Sequence, residues 1–165
     1  RPPARPPVPT DAQEPSPRVL IERRPGLTPF SLLLVLVVAY LLLGTKAFVD
    51  EARLCLEQVT TPLAPAHWEA ELANVVWMAT RAGVLAPGDA PARLGLARRL
   101  GIESVATAGL CQGALLRSID SGVTVYDTLF VELAARTACP LVTFDKAVLK
   151  AFPDLACRPR DLLRR

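Results

Sequence analysis

The chain is poor in the residues that build soft-metal and covalent frameworks. It has one histidine, His67, and four cysteines, Cys55, Cys111, Cys139 and Cys157, none in a C-x-x-C pair. Zinc sites draw on Cys and His at short spacings, and small secreted scaffolds on denser cysteine, so the pattern argues against both. It fits buried thiols in a reducing cytoplasm. Internal repeats are also missing, which removes solenoids and propellers. No charge sign dominates: the net charge is +3. The arginines nonetheless cluster, at Arg23-Arg24, Arg98-Arg99, and Arg158, Arg160, Arg164 and Arg165. Such clusters form either a solvated face or a surface for phosphate backbones. The first 29 residues hold nine of the sixteen prolines and too few apolar residues to offset the entropy of ordering. Residues 1–30 therefore read as a Pro/Arg-rich disordered leader, with a proline-rich ligand for a partner as the alternative.

What the chain does have is one domain's worth of apolar residues, expected over 31–165. The stretch SLLLVLVVAYLLLGTK contains twelve apolar residues without interruption, Leu32 to Leu43. About 20 are needed to span a bilayer, and Pro29 and Lys46 bound the run, so a membrane-anchored or exported protein is the alternative reading. The preferred one is a buried first strand from about Leu34 to Tyr40. Amphipathic spacing predicts helices over Ala47–Val59, Ala66–Ala82 with Pro65 at its start, Ala90–Leu100, Ala108–Ser118 and from Thr124 onward. Ile102–Val105 and PLVT, Pro140–Thr143, are short strand candidates. Alternation of this kind indicates an α/β domain with a parallel sheet.

Three carboxylates stand where the apolar pattern does not call for them. Glu71 shares a helical stripe with His67, Asn74 and Met78, and either reaches solvent at the edge or serves a site. Asp127 lies three residues after Thr124, the spacing of a capping box. Asp145 follows the PLVT strand, where it either caps the next helix or joins a ligand site at the carboxyl end of the sheet. Two or three carboxylates meeting there would repel one another unless a cation lay between them, and oxygen donors suit Mg²⁺ or Mn²⁺. Such an ion polarises a phosphodiester and activates water, which is hydrolytic nuclease chemistry.

PAHWEAELANVVW, VTVYDTLFVELAA and CPLVTFDKAVLKAF resemble, in order and spacing, the three later motifs of the PIN-domain family, in particular the VapC-type toxin ribonucleases of bacterial toxin-antitoxin systems. The resemblance covers roughly residues 47–163. It implies a three-layer sandwich with a central parallel sheet flanked by helices, and a Mg²⁺- or Mn²⁺-dependent endoribonuclease. It further implies RNA as substrate, a cognate antitoxin protein, a homodimer, and Glu71, Asp127 and Asp145 as catalytic metal ligands. Thr143 and Asn74 would support them. The family's first strand ends in an aspartate; counting back from Lys46-Ala47-Phe48-Val49 places that position at Tyr40, where the acid is missing.

Overall fold

The computed structural model describes residues 32–33 and 35–162. The leader over 1–30 and the arginines at 164 and 165 lie outside the described residues. Among the described residues five short strands, β1 Leu32–Leu33, β2 Leu63–Pro65, β3 Glu103–Val105, β4 Leu141–Val142 and β5 Ala156–Cys157, form one parallel sheet in the order β3-β2-β1-β4-β5. Leu32 lies opposite both Leu63 and Leu141, and Leu33 opposite Val142. Parallel neighbours need long crossovers, and helices supply them: α1 Val35–Leu43, α2 Val49–Gln58, α3 Trp68–Arg81, α4 Ala90–Arg98, α5 Cys111–Ser121, α6 Val125–Thr137, α7 Lys146–Ala151 and α8 Pro159–Leu162. The chain is thus α/β. The order of the strands reverses at β1, which places the topological switch point between β1 and β4.

The strand expected from Leu34 to Tyr40 is corrected: the described strand is Leu32–Leu33, and Val35–Leu43 forms helix α1. An unbroken apolar run has no period, so sequence cannot separate a buried strand from a buried helix. Burial explains the composition: Val38, Ala39 and Leu42 enter the main core with Trp68, Leu72, Phe130 and Leu133. Val37 joins a second core with Ala52, Cys55, Val142 and Phe144. A helix wedged between two cores is apolar all round. It stops at Gly44, whose φ of +64° suits a residue without a Cβ. The Arg93 guanidinium donates to the Leu42 carbonyl at 3.0 Å, meeting an acceptor of the open last turn.

Tyr40 therefore stands on a helix and not at a strand end, and its assignment as the missing-aspartate position is corrected: β1 ends at Leu33. The Tyr40 ring stacks on Phe48 at 4.6 Å and meets Phe144 edge-on at 5.2 Å, fastening α1 to the chain after β4. Among the described residues no helix is long and apolar enough to cross a membrane.

Other elements follow their local chemistry. Pro65 ends β2 opposite Val105 and does not open the next helix, which starts at Trp68. The buried Trp68 indole donates to Ser104 Oγ at 2.9 Å and ties α3 to β3. Cys55 and Cys157 are buried, as expected of the thiols, whereas Cys111 is exposed and Cys139 only partly covered. Burial pushes the Cys55 thiol up to about 12, with the neighbouring Cys157 and Glu51 adding to the shift.

Helices α5 and α6 are clamped by Glu132, a carboxylate set inside an otherwise apolar stretch. Its oxygens accept from Arg117 Nε at 2.8 Å and Arg136 Nε at 2.6 Å. Burial alone would raise this carboxyl, but the two arginines more than offset it and hold it below its ordinary value. Gly113 makes room: a Cβ there would collide with the Glu132 carboxylate. Beside it, the buried Thr128 hydroxyl donates to the Ala114 carbonyl at 2.8 Å.

Candidate functional site

The carboxyl ends of the strands gather the candidate residues. β2 leads through Ala66 into His67 and α3, which carries Glu71 in its first turn. β4 leads into Thr143, Phe144 and Asp145. Helix α6 immediately precedes β4, so it runs back against the strands, and its first turn, with Asp127, lies at the same edge.

Glu71 is half-buried and carries the perturbed charge of the site. Burial first, and the Asp127 carboxylate second, push its carboxyl up from 4.5 to about 7. The Asp127 charge on α6 thus acts on Glu71 of α3. Glu71 does not simply reach solvent at the helix edge.

His67 is the residue that sequence reasoning passed over as a functional group, although its spacing of four from Glu71 put both on one stripe. Its Nε2 lies 3.2 Å from Glu71 Oε1. Both ring nitrogens are closed to solvent, with the Glu71 carboxylate on one side and the Tyr126 backbone as a further partner. The ring packs against Phe130 edge-on at 5.4 Å and near Tyr126 at 5.9 Å. Burial lowers its pKa, while the Tyr126 backbone and the Asp127 charge pull the other way.

Asp127 and Asp145 both do the local work that their surroundings suggest. Asp127 Oδ2 accepts from the Thr124 hydroxyl at 2.6 Å, and Thr124 Oγ1 accepts in return from the Asp127 backbone N–H at 3.3 Å. Asp145 caps α7, its Oδ1 accepting from Val148 N–H at 2.9 Å. Thr143, fully buried, receives the Asp145 backbone N–H on its hydroxyl at 2.9 Å, which fixes the chain at the head of that helix. Asn74, a turn beyond Glu71, is exposed. Of the three acids, Glu71 and Asp127 interact; Asp145 does not contribute to the shift of Glu71.

Among the described residues no group of three or more His, Cys, Asp and Glu side chains is arranged to hold a metal ion by itself. The donor chemistry of the pair nevertheless suits a divalent cation. A carboxyl raised to about 7, chiefly by burial and then by the Asp127 carboxylate, is an arrangement that a positive charge would relieve. Water completes such shells when the protein supplies only two or three ligands.

No family model matches the chain, and no curated protein matches it in sequence. Its fold is similar to that in the crystal structure of PAE2754 from Pyrobaculum aerophilum. That chain superposes with a TM-score of 0.63 at 18% identity, over 92% of this chain and 97% of the other. At that identity the likeness concerns the fold alone.

Proposed function

We propose that this chain is a PIN-like domain of the VapC toxin type, a three-layer sandwich whose acidic edge binds Mg²⁺ or Mn²⁺ and hydrolyses RNA phosphodiesters. The observation that carries the reading is the Glu71–Asp127 pair, two carboxylates from separate helices coupled at the carboxyl ends of a parallel sheet. Glu71 and Asp127 are the residues that would hold the cation, which when bound supplies charge to polarise the phosphodiester and acidify an attacking water. Asp145, with Oδ1 committed to its helix cap, orders the neighbouring edge. Thr143 keeps that segment in place. A cognate antitoxin and a second copy of the chain belong to this reading. Exposed apolar side chains on α5, Leu115, Leu116 and Ile119, and on α3, Trp77 and Met78, support contact with protein partners.

A second reading, a PIN-fold module that binds RNA or antitoxin without cutting, is favoured by one specific observation: β1 ends in leucine, with no carboxylate at its close. RNA cleavage separates the two. The enzyme reading expects purified protein to cut RNA with Mg²⁺ or Mn²⁺, not with EDTA, and to lose activity by at least about 100-fold in Glu71→Gln. RNA binding with no cleavage under either metal selects the module.

A further inference from the structure

We infer that Lys46, Lys146 and Lys150 form a basic rim that holds the phosphate backbone of single-stranded RNA beside the acidic edge, without needing a metal ion. The inference rests on the reading of the chain as an RNA-acting domain and names the surface on which the RNA lies.

Placement is the first argument. The chain has three lysines, and the fold gathers all of them at one end of the sheet. Lys46 stands in the turn between α1 and α2, two residues before Phe48. Lys146 opens α7, two residues after Phe144, and Lys150 follows one turn later on the same helix face. The Phe48 and Phe144 rings meet at 4.9 Å, which joins two segments far apart in sequence where the chain leaves β4. Arg158 lies over the same two rings at 5.9 and 5.2 Å, its guanidinium already bonded to Glu51.

The second argument is that these charges are unspent. Arg53, Arg98, Arg117, Arg136, Arg158 and Arg160 each have a carboxylate partner. The three lysines are exposed, and none makes an ion pair among the described residues. The acids that flank them in sequence are engaged: Asp145 caps α7, Glu51 holds Arg158, and Asp50 lies beside Arg53. Asp154, exposed past the end of α7, is left against three lysine charges. The third argument is what the acidic edge cannot do. Glu71 and Asp127 repel a phosphate backbone, so the charge that holds RNA has to stand off that pair, at the same end of the sheet. Lysine suits the task, because a point charge on a flexible stem follows backbone phosphates whatever the base sequence. A rim beside an edge read as phosphodiester chemistry favours RNA over an acidic protein segment.

Fluorescence anisotropy of the full-length protein with a labelled single-stranded RNA, in EDTA and over a series of KCl concentrations, tests the rim. Wild type is compared with the triple variant Lys46→Gln, Lys146→Gln, Lys150→Gln and with Arg99→Gln, which neutralises an exposed cation at the end of α4. The triple variant should bind about tenfold or more weakly, and its slope of log K against log [KCl] should be smaller in magnitude by about 2, from roughly 0.7 per lost contact. Each single lysine variant should take about a third of that change, so a folding defect in the triple variant does not decide the outcome. Arg99→Gln should bind as wild type does. Unchanged affinity and slope in the lysine variants would overturn the inference, and cleavage by wild type with Mg²⁺ would then leave the proposed function standing without it. Equal losses per charge in Arg99→Gln and the lysine variants would overturn it too, by showing attraction to net charge alone. Binding of polyglutamate that is lost in the triple variant while RNA binding holds would give the rim to an acidic protein instead. Wild type that neither binds nor cuts RNA would remove the proposed function and this inference together.

Discussion

His67 and Glu71 sit one turn apart at the start of α3 with Nε2 and Oε1 3.2 Å from each other, and Asp127 reaches the pair from the first turn of α6. The contact joins the ends of two helices at one edge of the sheet. Its electrostatics give the first prediction.

Glu71 carries a proton in the folded chain up to about pH 7, against 4.5 when unperturbed. Below 4.5 both folded and unfolded chains hold that proton; between 4.5 and 7 the folded chain alone does. The associated stability is therefore fully present below 4.5 and is lost as pH rises through 7. Urea unfolding of wild type and Glu71→Gln at pH 5 and pH 8 should show the variant gaining on the wild type by about 1 to 2 kcal/mol over that interval, a figure reduced for the partial exposure of the side chain. A constant difference would show that Glu71 titrates normally.

Gly113 and Glu132 form a second coupled pair. An exposed-helix Gly→Ala change ordinarily gains up to about 1 kcal/mol. Here the new Cβ would strike a carboxylate pinned by Arg117 and Arg136, so Gly113→Ala should destabilise by about 1 to 3 kcal/mol. Glu132→Ala should cost about 1 to 2 kcal/mol by removing the hydrogen bonds from two guanidinium groups that stay partly hydrated. In that background Gly113→Ala should change sign and stabilise. Chemical denaturation of the four proteins of this cycle measures the reversal, and additive effects would contradict it.

Tyr40→Asp tests the position of the first strand's end. Were Tyr40 at a strand terminus facing the site, the new carboxylate would strengthen metal-dependent cleavage. On α1, packed against Phe48 and Phe144, it breaks an aromatic cluster and buries a charge. The expected outcome is a loss of about 2 to 4 kcal/mol in stability with no gain in cleavage, read from thermal unfolding and the RNA assay together.

Asp145 separates capping from charge. Asp145→Ala should lose about 1 kcal/mol with the bond to Val148 N–H, whereas Asp145→Asn should stay within about 0.5 kcal/mol of wild type, since either side chain caps well. Equal losses in the two variants would mean that the charge, and not the cap, holds the start of α7.

Much of this was legible in the sequence where a residue's own neighbours decide its conformation. The cap at Thr124, the cap at Asp145, the amphipathic stretch that becomes α2 and the PLVT strand all follow from spacings within a few residues. The run from Leu32 to Leu43 was not, because its division into strand and helix is set by two cores that meet around α1 from distant parts of the chain. β2 hid inside a segment that reads as a helix breaker, since its pairing with β3 supplies what its composition lacks. Strand β5 and helix α8 are too short for any period to announce them. At the site, the stripe through His67 and Glu71 was visible. The approach of Asp127 was implied by the family resemblance alone, because no local spacing records how α6 packs against the sheet.

The most direct measurement is the titration of the Glu71 carboxyl carbon by NMR with and without Mg²⁺. The account predicts a midpoint near 7 in the free protein that falls toward the ordinary carboxylate range as Mg²⁺ is added, because a bound cation favours the ionised form. A midpoint near 4.5 without metal, or one near 7 that Mg²⁺ leaves unmoved, would contradict the claim that this edge is a divalent-cation site.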